Sequence, residues 1–236
     1  MTAPFSARIV ARARLLGLDG SPLRGPHAGP AWFHSRLAVL RSDATALDLI
    51  DPTTGDFAHV PLSPPAGNLD LGACFTTERA GRPFLVAFGP AYVLTLRFIA
   101  PRAPQIRIVP WRSREVRAVV CLANGTVRLF GSTTTCDVAL EPLLAELDDA
   151  DVVTALPHAL TTYDLANDTF AGASACADEV FCLAGESVGI LAPGEAPRWS
   201  MIEGLTTAPL GLALEPMHRR RGYVITSEEL LTLEFA

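Results

Sequence analysis

The chain has 236 residues, 49% of them hydrophobic and 19% charged, with a formal net charge of −6, which describes a folded globular protein and excludes a disordered one. All 19 basic residues are arginine, so Schiff-base catalysis, a P-loop and a kinase-type strand lysine are excluded. The absence of lysine beside abundant Ala, Pro, Gly and Leu points to a GC-rich genome.

Met1 to Leu18 carries Arg8, Arg12 and Arg14 and no acid. That composition suits a transit peptide, but the alternation of arginines with Ile9, Ala11, Ala13 and Leu15 fits a strand better. A cytoplasmic location is therefore expected, with a mitochondrial leader as the alternative. Leu37–Ile50 reads as two short apolar runs around a turn, and Asp51-Pro52-Thr53-Thr54-Gly55 is a second turn. Phe84–Phe98 repeats the form with Gly89-Pro90 at its turn.

Val119–Ser132, VVCLANGTVRLFGS, turns at Asn124-Gly125, a pair that favours a type I′ turn. Glu141–Asp149 places Leu143, Leu144 and Leu147 on one helical face, with proline in the first turn, and reads as a short inter-blade helix. Val152–Tyr163 is a degraded hairpin turning near Pro157-His158. Val180–Pro193, VFCLAGESVGILAP, turns at Gly185-Glu186, with glycine first as a type II′ turn prefers. Tyr223–Phe235 closes the series.

Val119–Ser132 and Val180–Pro193 align without a gap, with Val, Cys, Leu, Ala and a second Val identical. Taking Leu40, Ala87, Leu122, Ala155, Leu183 and Ile225 as equivalents gives a mean interval of about 37 residues, within the range of propeller blades. With these turns and hairpins the chain resembles β-propeller repeat proteins. The Asp51–Gly55 turn is similar to that of YVTN and quinoprotein-like blades, and Tyr163-Asp164 with Phe170 faintly to kelch. No Trp-Asp dipeptide marks a WD40 subfamily. The expected fold is all-β: one domain over residues 1–236, a propeller of about six short blades or five. A β-sandwich is the alternative. Because the last hairpin lacks an outer strand, Ala7–Leu16 is expected to supply it and close the ring.

Gly185-Glu186-Ser187-Val188-Gly189 matches a nucleophile elbow, but Pro193-Gly194 cuts off the helix an elbow needs, and Ser187 aligns with Thr126 in the repeat. Five cysteines without a C-x-x-C spacing suggest free, buried thiols. His27, His34, His59, His158 and His218 have no metal-ligand spacing, so neither a metal nor a cofactor is expected. Asp51, Asp56, Asp164 and Asp168 could form an acid/base pair at the ring centre. Their turn contexts favour a structural role instead.

Charge is unevenly distributed. Residues 79–136 carry nine arginines and one acid, whereas residues 137–236 carry four arginines and 17 acids. Arg107, Arg112, Arg114 and Arg117 around Trp111 form a candidate partner-binding surface, since Trp and Arg are enriched at interface hot spots. The resemblance and this charge imply a non-catalytic interaction platform whose partner is a protein with an acidic surface. The alternative is a hydrolase or lyase acting on a small molecule or glycan at the central channel. Overall acidity weighs against nucleic acid, and no apolar run reaches the length of a membrane span.

Overall fold

The computed structural model describes residues 5–23, 25–63, 69–79, 81–98, 104–111, 116–154, 160–165, 168–176, 179–192, 196–216, 218 and 220–236. In chain order the strands are β1 (Ala7–Arg14), β2 (Leu16–Gly17), β3 (His27–Phe33), β4 (Arg36–Arg41), β5 (Ala46–Ile50), β6 (Asp56–Pro61), β7 (Ala73–Arg79), β8 (Arg82–Phe88), β9 (Tyr92–Arg97) and β10 (Gln105–Pro110). There follow β11 (Ala118–Cys121), β12 (Thr126–Phe130), β13 (Thr134–Ala139), helix α1 (Leu140–Asp149), β14 (Leu160–Thr162), β15 (Phe170–Cys176), β16 (Glu179–Ala184), β17 (Ser187–Leu191), β18 (Arg198–Met201), β19 (Gly211–Leu214), β20 (Arg221–Ile225) and β21 (Glu229–Phe235).

These strands make five antiparallel blades around one axis. Four have the strand orders β3-β4-β5-β6, β7-β8-β9-β10, β11-β12-β13-β14 and β15-β16-β17-β18, and β2 lies parallel along the outer edge of the first. The fifth is β19-β20-β21-β1, so the N-terminal strand is the outermost strand of the last blade. The closing role expected for Ala7–Leu16 thus falls to Ala7–Arg14. Arg8 lies directly opposite Glu234 across that junction. The first strands β3, β7, β11, β15 and β19 contact one another in a ring around the axis.

Each blade is covered on both faces by its neighbours, so its middle strands are apolar on both parities, as RLAVLR and EVFCLA show. Five core clusters fill the five seams. The seam between the second and third blades holds Phe84, Val86, Phe88 and Trp111 against Val127, Leu129 and Val138. Helix α1 joins that cluster through Leu143, Leu144 and Leu147, the face expected from the sequence, although it connects two strands of one blade instead of two blades.

The blade count is the smaller of the two expected. The surplus came from Val152–Tyr163, whose turn near Pro157-His158 lies outside the described residues. Its end, Leu160–Thr162, is the outer strand of the third blade, paired with β13, and Val153 bridges to Trp111. The repeat is also out of phase. Val180–Pro193 is the second-to-third-strand hairpin of its blade, whereas Val119–Ser132 is a first-to-second-strand hairpin. Both positions demand two buried apolar runs around a tight turn, so a short window cannot separate them.

The turn at Asn124-Gly125 differs from the expected type I′. Only Gly125 has positive φ (78°), and its N–H bonds the Leu122 carbonyl, making a type I turn followed by a left-handed glycine. The Asn124 side chain accepts a hydrogen bond from the Thr126 N–H at 3.0 Å and so keeps its own backbone right-handed. At Gly185-Glu186 the positive φ falls on Gly185 alone, as a type II′ turn requires.

Candidate functional site

The axis is the first place to look for chemistry. It is lined by Gly29 and Pro30 of the first blade, Ala73 and Cys74 of the second, Arg117 to Val119 of the third, Gly172 and Ala173 of the fourth and Leu212 of the fifth. These are mostly small residues, and only glycine fits at Gly172, where a Cβ would stand 2.7 Å from the Leu212 nitrogen, and at Gly211 next to the lining, where a Cβ would stand 2.4 Å from the Gly29 oxygen. The inner strands therefore close on one another. The cavity left between them is about 10 Å³, room for roughly one water. Among the described residues, no carboxylate or imidazole lines it. Burial pushes the Cys74 thiol up to about 12, far from a reactive thiolate.

Asp51 and Asp56 do not reach the axis. Asp51 instead accepts the Thr53 N–H at 2.9 Å inside its turn, and its own N–H bonds the Asp56 carbonyl. Asp168 packs its carboxylate under the Gly185 turn. Ser187 opens β17 and pairs with Ala184 and Met201, with strand and no helix after it, so the elbow geometry is absent.

The described candidate partner-binding residues, Arg107, Trp111 and Arg117, are separated by the fold. Arg107 donates to the backbone oxygens of Asp148 and, at 2.8 Å, Ala150, placing its charge on the open carbonyls at the C-terminal end of α1. Arg97 beside it donates to the Asp148 carboxylate. Trp111 is 6% exposed, edge-on to Phe88 at 5.3 Å, with its indole N–H unpartnered among the described residues. It is a core side chain, not a surface anchor, because the bridge to Val153 draws its backbone under the end of α1. Arg117 stands half-buried at the axis and donates to Thr169 at 3.2 Å. Arg112 and Arg114 lie outside the described residues. Arg128, from the same basic stretch, makes a two-bond contact with Asp137 at 2.7 and 2.8 Å. Arg97 and Arg128 of this sector therefore meet acids that follow them in sequence, and Arg107 meets helix carbonyls.

Two other groups of polar side chains stand out. On the first blade, Asp48 is 3% exposed and accepts from His59 Nδ1 at 2.8 Å, with His27 Nε2 3.9 Å from its other oxygen. Both His27 nitrogens lack hydrogen-bond partners among the described residues. Burial outweighs the Asp48 charge and lowers the His27 pKa. No group of three ligands arranged for a metal ion occurs among the described residues.

The second group surrounds an open pocket of about 600 Å³ at the edge of the fifth blade, lined by Ser6, Arg8, His218, Arg220, Arg221, Glu234, Phe235 and Ala236. The loop between β19 and β20 builds it. The Glu215 N–H bonds the Arg221 carbonyl, the His218 N–H the Glu215 carbonyl and the Arg221 N–H the His218 carbonyl, which turns the basic side chains outward. The sequence reading passed over this cluster, although His218-Arg219-Arg220-Arg221 is a dense basic run within an otherwise acidic third of the chain.

No family model and no curated protein matches the chain. Solved structures resemble it in fold. Glutaminyl cyclase from Myxococcus xanthus aligns with a TM-score of 0.66 at 12% identity, over 99% of this chain and 98% of that one. A PQQ-bound aldose sugar dehydrogenase from Streptomyces coelicolor aligns with a TM-score of 0.59 at 12% identity, over 99% and 100%. A streptogramin B lyase aligns at 0.52 and 7% identity, over 98% of each chain. The chain is a β-propeller repeat protein, and at these identities the likeness extends to the fold alone.

Proposed function

We propose that this propeller is a non-catalytic platform that holds a partner protein with an acidic surface. The carrying observation is the closed axis: a cavity of about 10 Å³, lined by Gly, Pro, Ala, Cys, Val and Leu residues and Arg117, is far below the roughly 300 Å³ of a small-molecule site. What remains for recognition is the outside of the ring, where loops and blade edges are held by a rigid frame.

Within the basic stretch 79–128, partner contact is assigned to Arg112 and Arg114. Arg107, Trp111 and Arg117 have the intramolecular duties described above, so their part is to hold the frame of the ring. Affinity purification from the native host tests the reading, comparing the natural chain with an Arg112→Glu/Arg114→Glu variant. A stoichiometric acidic partner held by the first and lost from the second is expected. Retention by both, or no stoichiometric partner at all, would overturn it.

A further inference from the structure

We propose that the open pocket at the edge of the fifth blade binds a phosphoryl group. Arg8 comes from β1, Arg221 opens β20, Glu234 lies near the end of β21, and His218 and Arg220 come from the β19–β20 loop. Two of the arginines are already oriented. Arg8 pairs with Glu234 at 3.3 Å, and Arg221 lies 3.6 Å from Glu215, which stands behind the lining. Arg220 is exposed, and no ion pair or side-chain hydrogen bond engages it among the described residues. Its backbone is nevertheless fixed, because its carbonyl accepts the Phe235 N–H at 2.8 Å.

Three arginines face one glutamate in the lining, and with Glu215 beside Arg221 counted the local charge is +1 with His218 neutral. A phosphate monoester carries about −1.5 to −2 and offers three acceptor oxygens, enough for guanidinium groups converging from different strands. A single carboxylate, planar with two oxygens, is satisfied by one guanidinium and leaves the others unused. The volume of about 600 Å³ suits a small phosphorylated compound or one phosphorylated side chain of a peptide. This inference is independent of the platform reading, which rests on Arg112 and Arg114 in a different stretch of the chain.

Isothermal titration calorimetry on the full chain tests it with inorganic pyrophosphate, and with a phosphoserine peptide beside its unphosphorylated form. At least one phosphorylated probe is expected to bind, with affinity falling as salt rises. Arg220→Ala should weaken that binding by about tenfold or more, and Arg82→Ala, an exposed arginine of another blade, should leave it unchanged. Binding of pyrophosphate alone assigns a small-molecule ligand, and binding of the phosphopeptide alone assigns a modified protein. Binding of neither, equal binding of the unphosphorylated peptide, or an affinity that Arg220→Ala leaves intact would overturn the proposal.

Discussion

Two arginine clusters of this propeller can be set side by side. At the seam of the second and third blades, Arg97 and Arg107 are joined to Asp148 and to the last carbonyls of α1, and within the third blade Arg128 is joined to Asp137 across β12 and β13. At the edge of the fifth blade, Arg8, Arg220 and Arg221 face an open pocket. The seam lies in the basic third of the chain and the edge is fed from the acidic third, so charge density along the sequence ranks them in the wrong order. What separates them is local pairing. The seam arginines, Arg97 and Arg107, are followed in sequence by a helix whose Asp148 carboxylate and last carbonyls fold back onto them. The loop at Glu215–Arg221 closes on its own backbone and leaves Arg220 exposed.

If the seam is structural, its largest signature is in stability. Trp111→Ala removes a buried indole wedged against Phe88 and the α1 leucines and is expected to cost about 3–5 kcal/mol. Urea unfolding followed by tryptophan-independent circular dichroism measures it. A loss below about 1 kcal/mol would mean that Trp111 is a surface residue, and the contrast between the regions would fail.

The next effect compares single arginines. Arg107→Ala uncaps the C-terminal end of α1 and is expected to lower stability by about 1–2 kcal/mol. Arg220→Ala, exposed and unengaged, should stay within about 0.5 kcal/mol of the natural chain. Equal losses in the two variants, read from urea midpoints, would erase the distinction.

The strand–turn–strand units, the closure by Ala7–Arg14 and the Leu143–Leu144–Leu147 face were all legible in the sequence. Each depends on neighbours close along the chain or on a plain alternation of side chains. The phase of the repeat was not legible, because the hairpins at Val119 and Val180 obey the same local rule at different distances from the axis. The fate of Trp111 was hidden for a related reason: its burial depends on Val153 and α1, which arrive from another strand connection. Arg107 likewise finds its acceptors across that connection. The basic run at His218–Arg221 was visible as letters, but its pocket needs Arg8 from the opposite end of the chain.

A third polar group sharpens the contrast, since it is neither engaged like the seam nor open like the edge. The His27 side chain is buried without a hydrogen bond among the described residues, and its pKa is lowered, chiefly by burial. The unfolded chain therefore takes up a proton near pH 6.5 before the folded one does. Stability from this group is present above pH 6.5 and is lost as pH falls from there toward the lower folded value. Urea midpoints measured downward through that range should fall in the natural chain and fall less steeply in His27→Gln. Identical slopes would place the acid sensitivity elsewhere.

The smallest effects come from the two cross-strand ion pairs that share one geometry. Arg128 lies directly opposite Asp137, and Arg8 directly opposite Glu234. The first pair is bidentate with side chains 24% and 29% exposed, and its hydrogen bonds push the Arg128 pKa up. The second is a single 3.3 Å contact with 77% and 46% exposed. Solvent screens the second almost completely, whereas the first keeps part of its attraction. Double-mutant cycles with alanine should give a coupling of about 0.5–1 kcal/mol for Arg128–Asp137. The Arg8–Glu234 cycle should give none that can be measured. A larger coupling at Arg8–Glu234 would mean that Glu234 holds Arg8 too firmly for a ligand to draw it away, and the edge would then resemble the seam.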